Sequence, residues 1–199
     1  MRLKSIDFKV AADLVREILP SAQTKIEKPK RGGEREALRN LWKGSVNVTV
    51  GDEVFRYLSN RRVLADPPND LRFCPSAGYF EDGKKVGTYP AMLALVRDAS
   101  GKPVTIHRTY LQDGKKAPVQ SPKKLVSPIG AGACIRLFQA SKAVCVTEGI
   151  ETALAVRKVT GEPVWAAISA GGLKGWICPP YIKHVCIYAD NDLNFVGSL

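Results

Sequence analysis

The last third of the chain alternates short apolar runs with segments of helical periodicity. The apolar runs at 144–147, 164–168 and 185–189 have the length and composition of buried strands, and 150–159 and 172–177 predict helices. This β-α-β-α-β order is typical of a parallel sheet with right-handed crossovers, and it predicts an α/β fold.

Upstream, the pattern predicts antiparallel β structure. Predicted strands at 89–97 and 104–111 flank a turn-rich segment and indicate a hairpin. A further strand is expected at 134–138. Several prolines predict that 112–130 is irregular.

Three helices are expected before this β region. Their apolar positions fall on one face in 7–19, 34–42 and 52–61, and Asp52 has the side chain and position of an N-cap. The polar segment 20–33 resembles a flexible basic linker. We therefore expect an N-terminal helix and linker (1–33), a basic helical and antiparallel-β subdomain of α+β character (34–141), and a parallel-sheet domain (142–199).

Carboxylates follow two of the predicted parallel strands. Glu148 comes directly after the first strand, and Asp190 and Asp192 come after the third. The carboxyl ends of parallel strands share one sheet edge, where ligands bind in open α/β sheets. Three acidic groups there would repel one another without a cation between them. The pattern predicts a hard divalent metal with oxygen ligands, and such metals usually accompany phosphate chemistry.

Composition is that of an ordinary soluble protein, with 45% apolar and 25% charged residues. No apolar run approaches the roughly 20 residues that a bilayer crossing needs, and charges interrupt the N-terminus too often for a signal peptide. The five cysteines form no close pair, which favours reduced thiols in a cytoplasmic protein and argues against a zinc site.

The basic charge is unevenly distributed. Residues 1–141 hold 25 Lys and Arg against 14 Asp and Glu, whereas 142–199 hold five of each. A basic body beside a neutral domain with a carboxylate cluster fits a polyanion track that leads to a metal centre. A solubilising surface explains the charge alone equally well.

Several phrases in this order resemble the Toprim domain, and most closely the Toprim proteins of phage and plasmid DNA primases or primase-helicases. The Toprim phrases are Glu148-Gly-Ile-Glu-Thr-Ala-Leu154, Pro163-Val-Trp-Ala-Ala167 and Ala189-Asp-Asn-Asp192. Upstream, Leu71-Arg-Phe73, Tyr89-Pro-Ala-Met92 and Ile106-His-Arg-Thr-Tyr-Leu111 resemble the segment that precedes Toprim in the same proteins. A Toprim sheet usually continues further, so the resemblance predicts a domain that is incomplete at its C-terminus.

The resemblance implies a DNA primase that makes RNA primers on single-stranded DNA from nucleoside triphosphates, in some cases with a replicative helicase as partner. It implies a Mg²⁺ or Mn²⁺ site made by Asp190 and Asp192, with Glu148 as a further ligand or as the general base. Residues implied to bind nucleic acid or nucleotide are Arg108, Lys123 and Lys124, with Lys115 and Lys116 as weaker candidates. Gly149 permits a tight turn or a close phosphate approach, and Glu151 is expected to cap its helix or to support the metal ligands from a second shell.

Two other functions stay open at this point. A Toprim metal site also suits a metal-dependent nuclease, and a shortened Toprim chain could bind nucleic acid or a replication partner without turnover. A serine hydrolase is disfavoured, because Ala167-Ile-Ser169-Ala-Gly171 lacks the first glycine of the nucleophile elbow and no histidine follows Asp190.

Overall fold

The computed structural model describes residues 33–63, 67–68 and 70–189. The predicted helix at 7–19 and nearly all of the predicted linker at 20–33 lie outside these residues. Two helices come first: α1 (Gly33–Lys43) and α2 (Glu53–Asn60) flank a short strand, β1 (Val46–Asn47). Six further strands precede the last domain: β2 (Leu71–Glu81), β3 (Lys84–Arg97), β4 (Pro103–Gln112), β5 (Lys115–Lys116), β6 (Lys123–Leu125) and β7 (Cys134–Ile135).

The last domain alternates strands and helices. Its elements are β8 (Ala143–Thr147), α3 (Ile150–Thr160), β9 (Val164–Ala166), α4 (Ala170–Lys174) and β10 (His184–Tyr188). Strand β8 lies between β9 and β10 and is parallel to both. The predicted α/β class is confirmed, and the β-α-β-α-β pattern corresponds to this parallel part.

All ten strands that the described residues form belong to one sheet. Strand β3 joins its two parts, because it pairs antiparallel with β2 and β4 and, at Val96 and Arg97, with β7. Strand β7 in turn pairs antiparallel with β9. The basic body and the parallel domain are therefore connected by continuous backbone hydrogen bonding rather than by side chains alone.

Apolar side chains cover both faces of this sheet. On one face, α2 and α3 pack against a cluster that includes Leu58, Met92 and Leu154. On the other face, Tyr79 and Tyr110 belong to a cluster under α1, and Trp165 and Trp176 belong to a third cluster beneath the parallel strands. No helix in the described ranges combines the length and apolar character that a bilayer crossing needs.

Local chemistry explains the helix boundaries. Asp52 caps α2 as predicted, because its side chain accepts a hydrogen bond from the backbone N–H of Phe55 at 2.7 Å. Ser169 caps α4 by accepting from the N–H of Gly172 at 3.0 Å. Helix α4 therefore begins at Ala170, two residues before the predicted start, and ends before the predicted Ile177.

Three other predicted elements need correction. The segment 112–130, predicted to be irregular, is irregular except at Gln112 and in the short strands β5 and β6, which both pair with β4. The strand predicted at 134–138 ends at Ile135. The strand predicted at 164–168 ends at Ala166, because Ile168 turns into the left-handed region with φ of 77°.

Candidate metal and nucleotide site

The turn after β8 holds Glu148 at the carboxyl edge of the parallel strands. Thr147 is fully buried, and its hydroxyl donates a hydrogen bond to the carbonyl of Gly149 at 2.9 Å. The backbone carbonyl of Thr147 also accepts from the N–H of Ala167 on the neighbouring chain segment at 2.8 Å. These bonds fix the backbone on both sides of Glu148, whose side chain is half-buried.

Gly149 is the N-cap of α3 and offers no side chain to the first helical N–H groups. Its φ of −104° is open to any residue, and a Cβ there would meet its nearest atoms at 3.6 Å, which is ordinary contact. The protein's own conformation therefore does not require glycine here. The first turn of α3 is instead met by the Glu151 carboxylate, which accepts a hydrogen bond from its own backbone N–H.

Backbone strain and close packing mark the next strand end. Ile168 is a β-branched residue with positive φ, a conformation that such residues rarely adopt. Four residues later, a Cβ at Gly172 would lie 1.9 Å from the carbonyl oxygen of Ala167, so only glycine fits this position. The loop after β9 is thus pressed against its strand at the same sheet edge as Glu148.

Strand β10 brings the third strand end to this edge. Its register pairs Tyr188 with Thr147, so the chain leaves β10 level with the turn that carries Glu148. Asp190 and Asp192 lie outside the described residues. Within the described part of the chain, no three His, Cys, Asp or Glu side chains group closely enough to hold a metal. The metal cluster therefore stays a prediction, of which the structure describes one member.

Glu151 lies in the first turn of α3, three residues after Glu148, and it is only 8% exposed. Its carboxylate accepts a hydrogen bond from the Tyr57 hydroxyl at 2.6 Å. It also pairs with the ammonium groups of Lys123 at 3.3 Å and Lys116 at 3.8 Å. These partners come from α2, β6 and β5, so one side chain of the parallel domain contacts three side chains of the basic body. We call Glu151, Tyr57, Lys116 and Lys123 the Glu151 cluster.

The electrostatics of the Glu151 cluster follow from burial and charge. Burial alone would raise the pKa of Glu151, but Lys123, the Tyr57 hydroxyl and Lys116 outweigh it and hold that pKa at about 2. Burial and the nearby Lys123 lower the pKa of Lys116, which Glu151 partly offsets. Burial and the adjacent Glu151 raise the pKa of the Tyr57 hydroxyl. At neutral pH the cluster thus consists of one carboxylate, a neutral phenol and two lysines.

His107 and Thr109 lie beside this cluster on β4, where Thr109 pairs with Lys123 across to β6. Burial, reinforced by Lys123, lowers the pKa of His107 to about 4, so the imidazole is neutral at pH 7. Its Nδ1 and the Thr109 hydroxyl are buried without a hydrogen-bond partner among the described residues. The His107 Nδ1 and the Thr109 hydroxyl can therefore still form hydrogen bonds next to the two lysines.

Arg108 and Lys124 lie on the opposite face of the sheet. Lys124 donates to the carbonyl of Phe80 and stands 4.3 Å from the centre of the Tyr79 ring. Arg108 stands 5.5 Å from the centre of the Tyr110 ring. The three predicted basic residues are therefore divided, and only Lys123 shares a face with Glu151.

A cavity of about 670 Å³ lies elsewhere, lined by residues that include Arg97, Arg136, Phe138, Trp165 and Tyr181. None of its lining residues belongs to the turns that follow β8, β9 or β10. The Arg136 guanidinium is already bound to the carbonyls of Asp98 and Ala99 and stacks on Trp165. This cavity is therefore separate from the candidate site.

Comparison with known proteins identifies both parts of the chain. Residues 143–198 match the Toprim domain, which includes Glu148 and both predicted aspartates. The resemblance seen in the sequence is thus confirmed, and residues 143–198 are a Toprim domain. Toprim domains generally bind divalent metals, and oxygen ligands at this sheet edge suit such an ion. Residues 32–137, more than half of the chain, match a domain of unknown function, DUF7146, and the chain belongs to this family.

A more distant similarity links the chain to a solved structure from bacteriophage T7. That structure is described as the lagging-strand DNA polymerase interacting with primase domains of two gp4 subunits bound to an RNA/DNA hybrid and dTTP. The match has 15% identity and a TM-score of 0.40, and it covers 76% of this chain and 71% of that chain. No protein curated for function matches the chain by sequence.

Sequence reasoning found Glu148 but underestimated the cluster beside it. Glu151 was expected to cap α3 or to support the metal ligands. It does accept a hydrogen bond from its own backbone N–H in the first turn of α3, and it also binds three side chains from distant elements. Tyr57 was not predicted as a site residue, because its place in α2 is typical of an ordinary apolar position. The available signal was Lys116 and Lys123, which stand in a basic segment, 112–125, whose one acidic residue is Asp113.

Proposed function

We propose that this protein is a DNA primase that joins ribonucleotides on a single-stranded DNA template, with Mg²⁺ or Mn²⁺ bound by Glu148, Asp190 and Asp192. The observation that carries the proposal is the position of Glu148. It leaves β8 at the edge where β10 ends in register, and β10 leads directly to the two aspartates.

In this reaction a 3′-hydroxyl attacks the α-phosphorus of a nucleoside triphosphate, a P–O bond forms, and pyrophosphate leaves. A divalent ion held by the three carboxylates would supply charge neutralisation for the phosphoryl oxygens. Glu148 would act as an ion ligand or would accept the proton of the attacking hydroxyl.

The lysines of the Glu151 cluster support the proposal independently of the metal. Both Lys116 and Lys123 side chains keep 40% of their surface exposed while they contact a buried carboxylate. Their ammonium groups can therefore reach a polyanion without leaving the helix end that follows Glu148. Each phosphate contact of this kind contributes to a salt-dependent affinity.

The test is primer synthesis on single-stranded DNA with labelled ribonucleotides and Mg²⁺ or Mn²⁺. We expect short RNA products from the wild type, and at least a ~100-fold loss with Glu148→Gln or Asp190→Asn, since each removes a charge from the reacting centre. Glu162→Gln, an exposed glutamate beyond α3, is the matched control and should keep full activity. Shortened DNA in place of RNA would instead identify a nuclease, and intact DNA binding without any product would identify a binding module.

A further inference from the structure

The Glu151 cluster contains more than a fold contact requires. A carboxylate that served only to join α3 to α2 would need the Tyr57 hydroxyl at 2.6 Å and one cation to balance its buried charge. Here the second carboxylate oxygen is directed at Lys123, and Lys116 approaches the first. Two half-exposed cations are therefore held at one buried anion, and the group as a whole keeps a net positive charge.

The members of the Glu151 cluster come from different parts of the fold. Lys116 and Lys123 belong to short strands of the basic body, and β5 has only two residues. Glu151 belongs to the first turn of the helix that starts directly after Glu148. The position of an ammonium group bound to Glu151 is thus fixed relative to the Glu148 turn, and not only by its own short strand.

We infer that Glu151 is a positioning residue, which holds the ammonium groups of Lys116 and Lys123 beside the Glu148 turn so that they meet the phosphates of an incoming nucleotide. This inference rests on the proposed function and specifies how its basic residues are placed. Without Glu151, two neighbouring lysines would repel each other and turn outward to solvent. Lysines displaced in this way would still attract polyanions but would no longer bind a particular phosphate.

Charged and titratable groups approach Lys116 from several elements: Glu151 on α3, Lys123 on β6, Arg61 after α2, and His107 on β4. Glu151 is the one acid among them. The removal of Glu151 should therefore increase the reactivity of both lysines, because each loses the carboxylate that holds its ammonium group in place.

The first experiment measures this placement without any assay of function. Trace labelling with acetic anhydride, followed by mass spectrometry, gives the acetylation rate of each lysine in the full chain. In Glu151→Gln, which keeps the side-chain volume, Lys116 and Lys123 should react about threefold faster, as expected for the loss of a partly exposed ion pair. Lys158, which binds the carbonyl of Arg62 from the far end of α3, should be unchanged and so reports an intact helix. Glu151→Asp keeps the charge and should restore most of the protection.

The second experiment measures primer synthesis by the same variants. Glu151→Gln should lower kcat about tenfold while changing the affinity for single-stranded DNA less than twofold, because the cations remain but are misplaced. Glu162→Gln should change neither quantity. Unchanged acetylation of both lysines in Glu151→Gln would overturn the inference, and so would faster acetylation with an unchanged kcat. If the wild type makes no primers, the proposed function fails, and the acetylation rates still decide whether Glu151 places the lysines.

Discussion

Single residues of the candidate site combine burial with charge in ways that set their protonation. His107 is 5% exposed and lies near two lysines, so its neutral form is favoured. Glu151 is almost as buried, yet its partners keep it ionised. One face of the sheet therefore holds a neutral imidazole and a carboxylate side by side, and both resist protonation in the folded state.

These residues predict how stability depends on pH. Above pH 6.5 His107 is neutral in both the folded and unfolded protein and contributes nothing. Below pH 6.5 the unfolded chain takes up a proton that the folded protein refuses until pH about 4. The free energy of unfolding should therefore fall by about 1.4 kcal/mol per pH unit in this window, roughly 3 kcal/mol in total.

Denaturant titrations between pH 7 and pH 2 test this dependence. In His107→Gln the slope between pH 6.5 and 4.5 should largely disappear, because no titrating group replaces the imidazole. The loss below pH 4.5 should remain, since Glu151 contributes stability that disappears as the pH falls from 4.5 towards 2. An equally steep slope above pH 4.5 in His107→Gln would show that another group is responsible.

At the scale of elements, the short strand β6 separates two kinds of basic side chain. Lys123 and Lys124 are adjacent in sequence and face opposite sides of the sheet, one at Glu151 and the other over the Tyr79 ring. Because they differ in little except direction, they form a natural matched pair. We expect the face of Lys123 to be the one that serves the reaction.

This pair gives a direct comparison of the two faces. Lys123→Gln should reduce primer synthesis by about tenfold, since it removes a cation beside the reacting phosphates, whereas Lys124→Gln should stay within about twofold of the wild type. Steady-state primer synthesis at constant ionic strength measures both. Equal losses in the two variants would place the nucleotide path on both faces or on the face of Lys124.

Helix α2 is joined to α3 by the Tyr57–Glu151 hydrogen bond. Tyr57→Phe removes only the hydroxyl and leaves a buried carboxylate with one donor fewer. We expect it to lower the free energy of unfolding by about 1–3 kcal/mol, as for a hydrogen bond to a charged group. Chemical denaturation provides the measurement, with the half-exposed Tyr181→Phe as control at under about 0.5 kcal/mol. A Tyr57→Phe protein as stable as the control would mean that the lysines alone satisfy Glu151.

At the scale of the whole molecule, one sheet joins a basic body to a Toprim domain. The sequence pattern predicted the strands of the parallel part, because they are continuous apolar runs that alternate with helical segments, and the hairpin of β3 and β4, because its strands are long. It did not predict β5 and β6, since two or three residues between prolines carry no period. Their pairing depends on β4, a long-range contact that local sequence does not encode.

The candidate site was predictable to a similar extent and for related reasons. Glu148 follows a strand directly, so its place at the sheet edge could be deduced from topology. The Glu151 cluster could not, because its members are up to 94 residues apart and meet only when α2 is packed on the sheet. A resemblance to Toprim proteins likewise gave no information about which face of β6 each lysine occupies.

The metal site proposed at Glu148, Asp190 and Asp192 is tested most directly by measuring the binding of Mn²⁺ to the protein. Electron paramagnetic resonance of Mn²⁺ mixed with the full chain distinguishes free from bound ion without any assay of activity. We predict saturable binding by the wild type and by Glu162→Gln, and a loss of affinity of at least about tenfold in Glu148→Gln and in Asp190→Asn, since each removes a charged ligand. Mn²⁺ binding that is equally strong in all four proteins, or absent from the wild type, would contradict a metal site at Glu148 and the aspartates.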